Sequence, residues 1–204
     1  MVYLHSNFIG IIGLMATDFI HNKIFNDEFF ISGDLQLKEF ENCTFHYCDF
    51  TESIFTGTVF IDCTFINCNF HKAPIGHVSL RNVQFTDCDM TSVNFAMTDQ
   101  IIHQFHFTKC KLDYAQFYKL DLKHITFTDC SLISADFMEC NLQEAMFDNC
   151  NLHLAVFIGA DASKCDFYSS YHYTINPART KLKKAIFSQD GLRGLLSEFD
   201  IIVK

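Results

Sequence analysis

Phenylalanine falls on every fifth residue from Phe40 to Phe70. Read backward, this register meets Leu35, Phe30 and Phe25. Read forward, it meets Ile75, Leu80, Phe85, Met90 and Phe95, so fifteen successive positions are apolar. After Phe95 it slips by two residues, resumes at Ile102 and Phe107, and runs by fives to Phe157, Ala162 and Phe167. It weakens at His172 and Pro177 and recovers at Leu182 and Phe187. Of the 24 phenylalanines, 19 occupy this phase, where chance would place about five. A second phase lies two residues earlier and holds all ten cysteines: Cys43, Cys48, Cys63, Cys68, Cys88, Cys110, Cys130, Cys140, Cys150 and Cys165. Alanine and valine fill many of its other positions.

Neither the helical period nor strict strand alternation produces this pattern. In extended backbone, residues two apart point to the same side. A small and a large residue can therefore both face inward across three extended residues, and the remaining two turn a corner. Four corners close a coil of about 20 residues, and coils stack at about 4.8 Å through backbone hydrogen bonds. The 33 units predict about eight coils and a rod of roughly 40 Å. Residues 20 apart then stack, so Cys48, Cys68 and Cys88 should form one column and Cys110, Cys130 and Cys150 another. Their inward phase marks them as buried free thiols acting as small hydrophobes, which suits a reducing compartment. The low counts of Gly (8) and Pro (2) argue against a loop-rich sandwich.

Units such as Ala135-Asp136-Phe137, Cys140-Asn141-Leu142 and Cys150-Asn151-Leu152 resemble those of the pentapeptide-repeat family. The resemblance implies an all-β fold, a right-handed quadrilateral β-helix. Within that family the chain is similar to the branch that protects type II topoisomerases, which includes Qnr-type quinolone-resistance proteins and immunity proteins against microcin B17 and albicidin. The stretches CTFHYCDF (43–50) and CKLDYAQF (110–117) carry this likeness, as does the ending from Ile175. What it implies is a non-enzymatic cytoplasmic protein that binds DNA gyrase or topoisomerase IV and mimics DNA. A generic interaction scaffold with another partner is the alternative, since a repeat fold does not fix function.

Three segments follow: an N-terminal cap or imperfect first coil (1–24), the repeat body (25–187) interrupted at 96–101, and a C-terminal element (188–204). In the last, Leu192, Leu195, Leu196 and Phe199 line one face of a helix, with Ser188 or Asp190 placed to cap its start. Ile201, Ile202 and Val203 read as a short strand. Covering the open end of the solenoid would by itself explain this element; the resemblance implies that it also forms a homodimer. The interruption places Met97, Thr98, Asp99 and Gln100 in a surface bulge. Relatives of this branch carry a longer partner-binding loop near there, so the resemblance makes these four the counterpart; a tolerated corner insertion is the other reading.

The chain has 15 basic and 24 acidic residues, a net charge of −9. Residues 179–204 hold six basic and three acidic residues, leaving −12 for residues 1–178. Direct nucleic-acid binding is therefore not expected. Glu39, Glu41, Asp49, Glu52, Asp62, Asp121, Asp129, Glu139, Glu144 and Asp148 fall at outward or corner phases and form a candidate acidic surface. Duplex DNA of about 40 Å carries roughly 24 charges, so mimicry by charge alone would be half complete. No phosphate loop, metalloprotease or hydrolase motif occurs. The cysteines face inward and most histidines outward, so neither a metal site nor a cofactor nor a catalytic set is expected. No apolar run is long enough to span a membrane.

Overall fold

The computed structural model describes residues 18–99, 104–199 and 201. Its short strands all pair in parallel. Asp18–His21, Lys38–Glu41, Val59–Ile61 and Ser79–Arg81 stack to form one face. The next face is a seven-stranded sheet that starts at Ile24–Asn26, continues through Thr44–His46 and Thr64–Ile66, and ends at Met146–Asp148. Phe29–Ile31 pairs with Asp49–Glu52 on the third face, which then continues as single bridges from Asp49 to Asn69, Asp89, Lys111, Ser131 and Asn151. The fourth face is bridged at Asn94, Gln116, Asp136 and Val156. The architecture is thus a four-faced β-solenoid.

Seven strands bound six turns, fewer than the eight coils expected from the repeat count. Above Met146–Asp148 the second face continues only as the bridges from Met146 to Asp166 and from Asp166 to Ile186. There a single central residue pairs per coil.

The interior follows the two-phase rule. On the second face, Phe25, Phe45, Phe65, Phe85, Phe107, Phe127, Phe147, Phe167 and Phe187 stack in one unbroken column. Rings on different faces meet edge-on: Phe45 and Phe50 on adjacent faces at 5.7 Å and 68°, and Phe127 and Phe137 on opposite faces at 5.8 Å and 79°. Each ring therefore has parallel neighbours above and below and perpendicular ones beside it, both favoured by the aromatic quadrupole.

Most corners close because the second residue after the large core residue takes a left-handed backbone. Among the described residues, 25 non-glycine residues have φ between 51° and 63°, and Asn or Asp occupies nine of them. These two residue types tolerate that region best. His172 adopts it at a phase reserved for a core residue. Its side chain therefore turns outward, and Tyr173 and Ile175 are buried beyond it.

The two extra residues are absorbed between Met97 and Gln104. His77 still bonds to Met97 at the ordinary coil spacing, whereas Val83 pairs with Phe105 and Asn94 with Gln116, a spacing longer by two. Because the slip lies between Met97 and Gln104, the third face passes through in register. The amide of Lys111 donates to the carbonyl of Cys88 at 2.9 Å. The two expected cysteine columns are consequently one, with Cys110 directly above Cys88. Phe105 enters the small-residue phase and packs on Phe95 and Phe107.

Candidate interaction surface

The inward side chains are committed to the core, which leaves the outward phases as the working surface. All ten cysteines are buried and free. Nine of the thiols donate to main-chain carbonyls of the coil below, among them Cys68 to Phe45 at 3.3 Å, Cys110 to Phe85 at 3.4 Å and Cys150 to Phe127 at 3.4 Å. Ser170, Ser53 and Thr180 occupy equivalent positions and make the same bond. The small phase is thus a donor position as well as a space-filling one. Burial pushes the Cys48 thiol up to about 11 and those of Cys63 and Cys140 up to about 12, so they stay protonated and unreactive at neutral pH. Among the described residues, no group of three or more His, Cys, Asp and Glu is arranged to hold a metal ion.

The candidate acidic residues are distributed around the rod rather than along one stripe. Glu39, Glu41 and Asp121 lie on the first face, Asp62 and Glu144 at the corner after it, Asp148 at the end of the second face, Asp129 at the corner after that, and Asp49 and Glu52 on the third. Glu139 lies at the corner between the fourth face and the first. Five of them are tied to a donor one coil above. Asn69 donates to Asp49 at 3.1 Å, Asn82 to Asp62 at 2.6 Å, Asn141 to Asp121 at 2.7 Å, Asn149 to Asp129 at 2.7 Å and Ser169 to Asp148 at 2.8 Å. Alternation of acid and neutral donor up these columns separates carboxylates that would otherwise stack one coil apart. Burial tends to raise the Asp49 carboxyl, but bonds from Thr51 and Asn69 outweigh it and hold it low. Glu139 and Glu144 are instead paired with Lys119 at 3.3 Å and Lys164 at 2.8 Å. The negative field is strongest toward the N-terminal half, where residues 18–99 carry four basic and twelve acidic residues.

One part of the surface escaped sequence reading. On the fourth face, Tyr114 and Leu154 stand on one corner, while Tyr118 and Ile158 stand on the other. All four are exposed. Tyr118 donates to Glu139 at 3.3 Å and lies under the Lys119 ammonium at 4.8 Å. The available signal was a large apolar residue at an outward phase. Exposed aromatic and aliphatic side chains rimmed by charge are typical of protein contacts.

The bulge starts as a 3-10 turn, Phe95–Met97, with Asn94 capping the Ala96 amide at 3.0 Å. Thr98 is buried and its hydroxyl donates to the Phe95 carbonyl at 2.7 Å. The Asp99 amide donates to Val78 at 2.8 Å, and Met97 is exposed. Gln100 lies outside the described residues. The C-terminal element is a short helical run: Asp190–Leu192 and Ser197–Phe199 are 3-10 turns flanking the single α-turn Arg193–Leu196. Of the two expected caps, Ser188 acts, accepting from the Gly191 amide at 3.1 Å. Leu195 packs on the end of the core, and Leu196 is half-buried. Leu192, Phe199 and Ile201 remain exposed. Ile201 is not in a strand, and Ile202 and Val203 lie outside the described residues, as do residues 1–17 of the expected N-terminal cap. Residues 18–24 contribute strands to the first coil.

A family profile described as "Pentapeptide repeat region" matches residues 38–99 and 100–176. The chain belongs to the pentapeptide-repeat family. Among solved structures, full-length QnrB1, described as a plasmid-mediated fluoroquinolone resistance protein, is similar at 16% identity with a TM-score of 0.48, covering 90% of this chain and 100% of its own. A trypsin-treated variant of QnrB1 is similar at 18% identity and a TM-score of 0.41, over 91% of this chain and 100% of its own. HetL, a pentapeptide-repeat protein involved in heterocyst differentiation regulation from the cyanobacterium Nostoc, is similar at 12% identity and a TM-score of 0.35, covering 84% of this chain and 88% of its own. A comparison with curated proteins finds no match. Among the described residues of this family member, no helix is long and apolar enough to cross a membrane.

Proposed function

We propose that this pentapeptide-repeat protein binds a type II topoisomerase, DNA gyrase or topoisomerase IV, in the groove that normally takes duplex DNA, and so protects it from quinolones or a topoisomerase-poisoning toxin. The observation that carries the reading is a narrow rod in a chain that holds a net charge of −12 over residues 1–178. Its core-facing side chains are buried, so binding through the exterior is what the fold offers. A net charge about half that of an equal length of duplex leaves the remaining affinity to direct contacts, for which Tyr114, Tyr118, Leu154 and Ile158 are the strongest candidates. The exposed Met97 side chain adds a local contact beside the acidic half.

The protein acts as a binder, not a catalyst, and works in the cytoplasm, where a reducing environment suits ten free thiols. The exposed Leu192, Phe199 and Ile201 beside half-buried Leu195 and Leu196 form the surface on which a second copy docks. The deciding experiment is gyrase supercoiling in the presence of ciprofloxacin. Micromolar protein is expected to restore supercoiling; neither protection nor inhibition would remove this reading.

A further inference from the structure

The last coil reverses the charge of the rod. Arg179, Lys181, Lys183 and Lys184 follow closely on the first face and its two corners, and all are exposed. Lys164 lies one coil below Lys184, since the Lys164 amide donates to the Lys183 carbonyl at 2.9 Å. Among the described residues, only two carboxylates answer these five cations. Asp161 pairs with Lys181, and Glu144 pairs with Lys164 at 2.8 Å while also facing the His124 ring at 3.5 Å. No carboxylate among the described residues pairs with Arg179, Lys183 or Lys184. In a chain of net charge −9, one end gathers like charges a single coil apart.

We infer that this basic end is a docking surface for the phosphate backbone of duplex DNA. Lysine is depleted in the cores of protein–protein interfaces, whereas nucleic-acid interfaces are strongly positive. Four of these five residues are lysines, mobile point charges that suit a diffuse polyanion better than a shaped protein pocket. Lysine at an open strand edge can also serve to prevent aggregation, but here the helical run at 190–199 already covers the end of the core. The acidic body is repelled by phosphate, so contact is confined to the last coils, and sequence is not read because no side chain here is held to probe base edges. The inference stands apart from the topoisomerase reading, since it needs only DNA and this chain.

The test is fluorescence anisotropy of a short labelled duplex titrated with the full chain. Saturable, sequence-independent binding is expected at low salt. Three to five phosphate contacts should weaken it at least about 40-fold between about 50 mM and about 200 mM salt. Lys183→Glu with Lys184→Glu should abolish binding, while Lys72→Glu with Lys109→Glu, an equal charge change at exposed corners elsewhere, should leave it intact. Circular dichroism melts of both double variants confirm folding. No binding at the lower salt, or equal loss in both double variants, would overturn the inference. So would competition by polyglutamate as effective, per charge, as unlabelled duplex, which would assign the surface to an acidic protein instead.

Discussion

Single residues in this protein do one of two jobs, and the phase decides which. Phe137 is fully buried, stacks on Phe117 at 4.9 Å and Phe157 at 5.2 Å, and meets Phe127 and Phe147 edge-on. Phe137→Ala should cost about 3–5 kcal/mol, read as a lower guanidinium midpoint with an unchanged slope. A near-neutral result would mean that the column collapses to fill the gap. The thiols make a pH prediction. Cys63 and Cys140 are pushed up to about 12 by burial, whereas an unfolded thiol titrates near about 8.5. The folded chain thus keeps protons that the unfolded chain releases. Their stabilising contribution is complete below about pH 8.5 and is lost as pH rises toward about 12, by about 1.4 kcal/mol per unit for each such thiol. Chemical denaturation between pH 7 and 10 should show this fall, and Cys140→Ala should flatten it. At the acid end, burial tends to raise Asp161, but Lys181, Ser163 and Gln143 outweigh it and hold it well below its ordinary value. Its contribution is therefore lost as pH drops below about 4.

Elements here are corners and caps more than strands. Gly159 turns its corner at φ 76°, and an added Cβ would stand 3.1 Å from Glu139 Cγ. Gly159→Ala should destabilise by about 1 kcal/mol through strain alone, a shift measurable in a thermal melt. Gly194 in the terminal helical run is fixed by space instead, because a Cβ there would collide with the Tyr173 carbonyl. That close approach seats the run on the last coil, with Ile175 donating to the Gly194 carbonyl at 3.1 Å. If the exposed side of this element joins two copies, Leu192→Asp with Phe199→Asp should halve the mass seen by light scattering. An unchanged mass would leave the run as a cap only.

Across the whole molecule, charge rather than shape varies along the axis. The N-terminal half is strongly acidic, the middle is moderately so, and the last coil is basic. A complex with gyrase governed by the acidic body should weaken steeply as salt is raised, because exposed charges are screened over about 10 Å at 0.1 M. Surface plasmon resonance across a salt series checks this, and a salt-insensitive affinity would shift the weight to the apolar contacts of Tyr114, Tyr118, Leu154 and Ile158. Net charge was readable by counting, yet counting could not show that Glu139 and Glu144 face lysines one coil away. The members of such pairs are distant in sequence and meet only once the coils stack.

The five-residue period by itself determined the solenoid. Two inward residues and a two-residue corner admit one economical closure, and each coil can bury its apolar face only against the next. It equally determined that the cysteines are core and that the polar phases form the exterior. The tertiary structure alone decided where the two-residue slip is absorbed, and hence that Cys88 and Cys110 share a column and that Phe105 joins the core. It also decided that His172 yields its place to Tyr173, because the left-handed residue falls at 172 itself, two positions before its usual place. Periodicity records which residues face inward, but register across an interruption depends on backbone hydrogen bonds between coils, and those exist only in the assembled rod.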